Sequence, residues 1–402
     1  MINGQLISRI FEAASIQRWN DHVRPVEFTE LDKQAHKMII AYVLGRFQEH
    51  SSPLNWARLI EGGIFEFLQR VVLTDLKPPV FHYLMKKAGA SLNKYVLSQV
   101  KEELSDIESP WTGQPLLQEM ADFLDGRWEG KAERRILNAA HYLATKWEFE
   151  LVYHAFPKMY GIDDTKKEID DKIEDYFELP GVQKILLGGK SHHFIDLCSQ
   201  LKFQKRWSRT PRIPQTSVLG HMLVVAILAY LLTGQLVDNP CDKRLYNNYF
   251  SALFHDLPEV FTRDIISPIK REVPGLDTAI EEYERRKIEE KILPLLPETW
   301  HTEILYLLEN QFENRIMENG ETLPVPEIDN DMNRDSLSPT DGAIVKIADE
   351  LAAFWEAGIS LAHGIRSPNL RQAVTNLQAK YAGRTRLSSL FTQAQFDKLA
   401  AS

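Results

Sequence analysis

Four residues of this chain stand where packing alone would favour leucine or alanine. His221 lies in the first turn of the apolar run VLGHMLVVAILAYLL, His255 and Asp256 follow a second run, YFSALF, and Asp349 sits inside a third, GAIVKIADELAAFWEAGISLA. A His-Asp pair alone is weak evidence in a chain with 12 histidines and 56 acidic residues. The context strengthens it, because a carboxylate is almost never buried without a partner and desolvating one is costly. One shared divalent ion would satisfy all four groups. Two imidazoles and two carboxylates suit Mn, Fe, Co, Ni or Zn and leave coordination positions for water and a substrate oxygen. Such a metal lowers the pKa of its water, so the chemistry indicated is hydrolysis near neutral pH.

Around this constellation lie residues suited to proton transfer and phosphate binding. Glu259 follows His255 by four positions and Asp256 by three, so the three share a face if HDLPEVF is helical. Pro258 is tolerated only in a first turn, which puts that helix's start just before it. Glu259 could then orient the attacking water or serve as general base or acid. Arg206, Arg209, Arg212 and Lys270 bracket the site in sequence, and arginine can grip a phosphate with two parallel hydrogen bonds. Each also has a plainer reading. Arg209, Arg212 and Lys270 could be solvated surface cations, and Trp207 a core aromatic. Asp341, in TDG before the third helix, is better explained as an N-cap than as a ligand. His192, His193 and His363 fall outside the pattern.

The landmarks recur earlier in the chain. Arg18-Trp19 matches Arg206-Trp207, His36 matches His221, and Trp147 matches Trp355. In that earlier stretch Glu61-Gly62 stands for His255-Asp256, and His141 for Asp349. This reads as a duplication whose first copy has lost the metal-binding set. The expected organisation is a degenerate domain over residues 1–185 and a catalytic domain over 186–402. The boundary falls near residues 180 to 191, where a charged helix gives way to Pro180-Gly181 and Gly188-Gly189.

The elements that must position these residues are helices. HKMIIAYVLGRF, NKYVLSQVKEELSDI, RRILNAAHYLATKWEFELVYHAF, EEYERRKIEEKILPLL and GAIVKIADELAAFWEAGISLA carry apolar residues at three- and four-residue spacing. No stretch sustains period-two alternation, so the fold class is all-α. Residues 309 to 340, rich in Asn, Asp, Glu and Pro, read as a surface loop near the mouth of the site.

Composition narrows the class further. Of 402 residues 44% are hydrophobic and 26% charged, as in an ordinary globular protein. A net charge of -9 argues against a general binder of nucleic-acid backbones, though a local basic pocket is compatible with it. Two cysteines, Cys198 and Cys241, are too few for a disulfide framework or a cysteine zinc site. The start of the chain lacks the pattern of a secretory signal, and a cytoplasmic protein is expected. The most apolar run, Met222 to Leu232, is too short to span a bilayer and reads as a buried helix, so no membrane partner is expected. Homo-oligomer formation is left open.

His221, His255-Asp256 and Asp349 on separate helices resemble the HD superfamily of metal-dependent phosphohydrolases. More narrowly, Arg206-Trp207 ahead of the first His, HDLPE followed by Thr262 and Asp264, then SPIK, and the ADELAAFWEA segment are similar to the bacterial 5′-deoxynucleotidases. The resemblance runs from about Phe194 to His363 and, more faintly, from Phe11 to His154. It implies an all-α domain with one divalent metal held by His221, His255, Asp256 and Asp349. Asp256 and Glu259 would be the catalytic pair, Glu259 poised on the water. Arg206 would hold the phosphate with Lys270 nearby, Trp207 would crowd the 2′ position of the sugar, and Asp264 would meet the 3′-hydroxyl. The substrate implied is a deoxynucleoside 5′-monophosphate. One departure stands out: the family carries Glu before the first His, and this chain carries Gly220. Hydrolysis of nucleoside triphosphates or alarmones is the enzymatic alternative, and a nucleotide sensor without turnover is the non-enzymatic one.

Overall fold

A computed structural model describes residues 1–74, 76, 78–263, 275–384, 387–392 and 396. Asp264 and Lys270 lie outside the described residues. The fold is all-α, as the periodicity predicts. The first half contains α1 (Gly4–Glu12), α2 (Glu30–Gln48), α3 (Trp56–Val72), α4 (Pro78–Leu104), α5 (Leu116–Leu124), α6 (Lys131–Ala155) and α7 (Ile162–Glu174). Two short helices follow, α8 (Pro180–Leu186) and α9 (Lys190–Ser199). The second half contains α10 (Val218–Leu236), α11 (Asp242–Phe254), α12 (Glu259–Thr262), α13 (Leu276–Lys287), α14 (His301–Leu308), α15 (Gly342–Ala362) and α16 (Pro368–Tyr381).

Two small antiparallel pairs interrupt the helices. Strands β1 (Gln17–Arg18) and β2 (Phe28–Thr29) pair ahead of α2. Strands β3 (Arg315–Glu318) and β4 (Glu321–Pro324) form a hairpin inside the stretch read as a loop. Its turn is Asn319-Gly320, with φ of 52° and 83°, the left-handed pair that a type I′ hairpin requires. The hairpin is anchored by Arg315, 1% exposed, which donates to the carbonyls of Tyr306, Asn310 and Glu313 and to Ser251.

The helix starts follow from local chemistry. Ser217 caps α10 by accepting from the Gly220 amide, and Thr29 caps α2 by accepting from the Asp32 amide. Asp341 occupies the N-cap position of α15 but does not cap it. Its carboxylate instead accepts two hydrogen bonds from the Arg244 guanidinium, at 2.7 and 2.6 Å, and one from Asn248.

Helix α10 is apolar all round because it is enclosed on every side by protein, a central position that an amphipathic stripe could not fill. It is long and apolar enough by composition to cross a membrane, but it lies 89% buried among α11, α15 and α2. In the first half α2 packs likewise on α6 and α3. The two halves share one continuous core, in which Tyr42 of α2 meets Phe250 and Phe254 of α11. Helices α8 and α9, at the expected boundary, pack onto α2.

Glycines mark where helices touch. A Cβ on Gly220 would lie 2.9 Å from Asp32 Oδ1 and 3.0 Å from Leu31, so the close approach of α2 leaves no room for a side chain there. The carboxylate of Asp32 in turn accepts a hydrogen bond from Ser217. At Gly62 and Gly63 a Cβ would meet Leu137 at 2.9 Å and Met38 Sδ at 2.5 Å, so both serve the packing of α3 against α6 and α2.

Candidate metal centre

Three of the four predicted ligands, His221, His255 and Asp349, come together at one place, and Asp256 stands beside His255. His221 is the fourth residue of α10 and fully buried, His255 is the cap residue just after α11, and Asp349 lies in α15. One ligand atom from each lies within 4.8 Å of the others, and among the described residues this is the group suited to a metal. His221 Nε2 is 3.2 Å from Asp349 Oδ1, and His255 Nε2 is 3.2 Å from Asp256 Oδ2.

The histidine orientations are fixed by their other nitrogens. His255 Nδ1 lies 2.7 Å from the Ala252 carbonyl, so that nitrogen carries a proton and, in the neutral ring, Nε2 presents its lone pair. Nε2 is buried and has no partner in hydrogen-bond geometry. An orphaned lone pair between two carboxylates and a second imidazole is what a divalent cation would satisfy, so the donor set fits the implied metal. His221 Nδ1 faces Glu356 Oε1 at 3.6 Å, leaving Nε2 turned toward the same point.

The electrostatics keep the carboxylates ionised. Burial would raise Asp349, but the hydrogen bond to His221 and the nearby Lys346 charge hold it well below the usual range. Burial would raise Asp256 too, and His255 and Arg206 outweigh it. Burial and Arg206 lower the His221 pKa, yet contact with Asp349 and Glu356 leaves it raised. Both carboxylates are therefore available as anionic ligands across the neutral range.

Two expectations need correction. His255 and Asp256 do not open a helix shared with Glu259. Helix α11 ends at Phe254, a turn occupies residues 255 to 258, and α12 restarts at Glu259 with Pro258 in its N-cap position. Proline permits the restart but not a continuous helix through the pair. Glu259 stays close to Asp256 in the chain, its amide donating to the Asp256 carbonyl at 3.1 Å across the turn. Arg212 is not a solvated cation: it is 4% exposed, donates to Thr216, and lies 3.6 Å from Glu356. Arg209 is exposed, as the plain reading had it.

Arg206 and Trp207 flank the centre. Arg206 Nη1 is 3.5 Å from Asp256 Oδ2, and its Nε is 3.9 Å from Glu356 Oε2. Trp207 is held at φ 56°, and its indole N–H donates to Glu356 Oε2 at 2.9 Å. Glu356, which sequence reasoning left without a role, is thus a hub that also accepts from Thr216 at 2.6 Å. Its carboxyl stays well below the usual range, because Arg212, His221 and Arg206 outweigh the effect of burial. The signal was present: Glu356 follows Asp349 by seven positions, two turns along the same helix face. Lys346, one turn before Asp349, was also missed and donates to Asp349 Oδ2 at 2.9 Å. The stretch before α15 does reach the site, where Gln311 donates to the His255 carbonyl at 3.3 Å and Phe312 lies 6.1 Å from the His255 ring.

The residues taken as counterparts in the first half do not converge. His36 lies against Trp147 and the Ile195 backbone, and Glu61 accepts from Ser109 and from Tyr230 of the second half. Helices α2 and α10 both have 19 residues, and their fourth positions are Lys33 and His221. Lys33 and His221 thus hold the same position in their helices, and His36 lies three residues further along α2. Lys33 Nζ contacts His141 Nδ1, as His221 Nε2 contacts Asp349.

Residues 198–378 match the family model described as HD domain. Among curated proteins, a 5′-deoxynucleotidase of Pasteurella multocida is 30% identical over 131 residues, covering 31% of this chain and 64% of its own. A 5′-deoxynucleotidase of Photobacterium profundum is 30% identical over 134 residues, with the same shares of 31% and 64%. The chain thus spans a little under two thirds of the length of these relatives. The crystal structure of an HD-domain phosphohydrolase from Listeria innocua is a distant likeness, with 19% identity, a TM-score of 0.37, and coverage of 50% of this chain and 83% of that one.

Proposed function

We propose that this protein is a metal-dependent phosphohydrolase that releases phosphate from nucleotides, with deoxynucleoside 5′-monophosphates as its preferred class. The observation that carries the reading is the orphaned Nε2 of His255, turned toward Asp256 and grouped with His221 and Asp349. The HD-domain match over this segment and the 5′-deoxynucleotidase relatives support it.

His221, His255, Asp256 and Asp349 would hold one divalent ion, with Mn, Co, Fe, Ni and Zn all compatible with the donor set. When bound, the ion would supply Lewis acidity, lowering the pKa of water and polarising a phosphoryl oxygen. The chain's own residues do the rest. Asp256 and Glu259 lie on one turn, where Glu259 takes the proton from the attacking water or returns it to the leaving oxygen. Arg206, held near Asp256 and Glu356, presents its guanidinium to the phosphate, and Lys346 adds a second cation on the Asp349 side. Trp207, pinned by its indole bond to Glu356, limits space beside the sugar. Asp264 and Lys270 remain candidates for the 3′-hydroxyl and the phosphate. We also read residues 1–185 as a degenerate copy of the catalytic half, residues 186–402. Trp19 and Trp207 support this, having φ of 55° and 56° and indole bonds of 2.9 Å to Glu148 and Glu356 respectively.

Phosphate release from a panel of deoxy- and ribonucleotides, after chelation and re-addition of single metals, tests the reading. Metal-dependent cleavage of deoxynucleoside monophosphates is expected. Faster cleavage of triphosphates would favour phosphoanhydride hydrolysis, and nucleotide binding with no phosphate released under any metal would make the protein a sensor.

A further inference from the structure

Where the second half groups its metal-binding set, the first half holds buried cations. Lys33 is 1% exposed and Lys37 fully buried, and Arg18 and Arg70 stand beside them. The facing carboxylates are Glu30, Glu66 and Glu148. Arg18 is fully paired, at 2.8 Å from both Glu30 and Glu148, and Lys37 is paired with Glu66. Among the described residues of this cluster four cations therefore face three carboxylates, and the shortfall falls on two of them. The Arg70 guanidinium has its nearest described carboxylate, Glu30, at 4.0 Å, and Glu30 already serves Arg18 and Gln34. The hydrogen bond of Lys33 goes to an imidazole nitrogen, His141 Nδ1, which carries no compensating charge.

A buried cation without a counter-charge is costly, and the usual remedies are deprotonation or a bound anion. Burial holds Lys33 well below the usual lysine range, with Glu30 opposing, and a bound anion would restore its charge. With Lys33 charged, His141 Nδ1 would accept from it and the imidazole proton would reside on Nε2, a third N–H donor in the cluster. Arg70 and Glu66 retain side-chain exposures of 15% and 16%, and His141 is itself only partly buried, so the cluster has an approach from solvent. An ammonium, a planar guanidinium and an imidazole N–H together suit a tetrahedral oxyanion, above all a phosphate group. They cannot assemble a cation site, since an ammonium occupies the helix position that His221 fills in α10.

We propose that Lys33, Arg70 and His141 form a metal-free site for a phosphate group in the first half, which binds it without hydrolysis. The occupant is either free orthophosphate or the phosphate of a nucleoside monophosphate. This inference does not depend on turnover in the second half.

The test is calorimetric titration of orthophosphate, and separately of a deoxynucleoside monophosphate, into the full chain stripped of metal. Wild type, Arg70→Gln and Arg206→Gln are compared. Binding at least tenfold weaker in Arg70→Gln but retained in Arg206→Gln is expected. Equal affinity for the two ligands would identify free phosphate as the occupant, and tighter nucleotide binding would identify the nucleotide. Unchanged binding of both ligands in Arg70→Gln, or loss only in Arg206→Gln, would overturn the proposal. Should Arg70→Gln fail to fold, a crystal of the wild-type chain grown with tungstate decides instead. Density within hydrogen-bonding distance of Lys33 and Arg70 supports the site, and density confined to Arg206 refutes it.

Discussion

The two helices that begin at Glu30 and Val218 are equal in length, start from hydroxyl caps, and bring their fourth residues to a partner on a later helix. In the second half that pair is His221 with Asp349, and in the first it is Lys33 with His141. Around each pair the supports are alike: an arginine, a tryptophan at positive φ, and a glutamate that receives the indole N–H. The scaffold and its orienting groups are thus similar while the ligand atoms differ. Four donors with lone pairs or negative charge suit a cation, whereas an ammonium on an imidazole with a guanidinium nearby repels one. The lesson is that a few side chains at fixed helix positions decide the charge of the guest, and the frame that positions them does not.

The contrast is broken most directly by removing a ligand. His255→Ala should lose its metal and its phosphate release together, whereas His141→Ala should leave both intact. Elemental analysis beside an activity assay checks this, and equal metal content in His255→Ala and wild type would undo the assignment. Next in size is Glu259→Gln, which should keep the metal and lose roughly 10² to 10⁴ in rate, because an amide cannot exchange a proton with water. A wild-type rate would reduce Glu259 to a structural residue of α12. Smaller again is the effect of the two glutamate hubs. Glu356→Gln, which loosens the hold on His221 and Arg206, should weaken metal affinity by about 10 to 100-fold. Glu148→Gln should leave metal affinity unchanged while lowering the melting temperature, since Arg18 would lose a partner in a buried ion pair. Competition against a fluorescent chelator separates the two.

Helix existence was legible because apolar spacing is a local property, and GAIVKIADELAAFWEAGISLA coincides with α15 from end to end. His221, His255 and Asp349 were legible for a related reason: a polar group inside such a run must have a partner somewhere. What local spacing does not carry is register between distant segments. His36 was matched to His221 by residue type, whereas the caps Thr29 and Ser217 set the register that places Lys33 there. Glu61-Gly62 was matched to His255-Asp256, yet Gly62 and Gly63 are small because Leu137 and Met38 press on them, a fact of tertiary packing. The hairpin at Asn319-Gly320 was written in the sequence and overlooked, because its strands of four residues are too short to show alternation. Glu356 was overlooked because its partners Trp207, Thr216 and Arg212 come from a segment well over a hundred residues away.

The smallest expected effect concerns how the halves hold together. Glu61 lies in α3 but accepts a hydrogen bond from Tyr230 of α10 at 3.0 Å, besides one from Ser109. Burial pushes its carboxyl up to about 7, and those two hydrogen bonds only partly oppose the rise. A carboxyl whose folded pKa is raised binds its proton more tightly in the folded chain than in the unfolded one. Its contribution to stability is therefore fully present below the unfolded value, near 4.5, and is lost as pH rises through about 7. Across that window one proton contributes a slope of at most about 1.4 kcal/mol per pH unit. Urea denaturation between pH 4.5 and 8 should show wild type losing stability relative to Glu61→Gln, whose amide keeps an acceptor for Tyr230 and has nothing to ionise. Identical pH profiles would mean that Glu61 is ionised in the folded chain at neutral pH. Its charge would then need a partner across the junction of the halves, and the junction would be more polar than its aromatic core suggests.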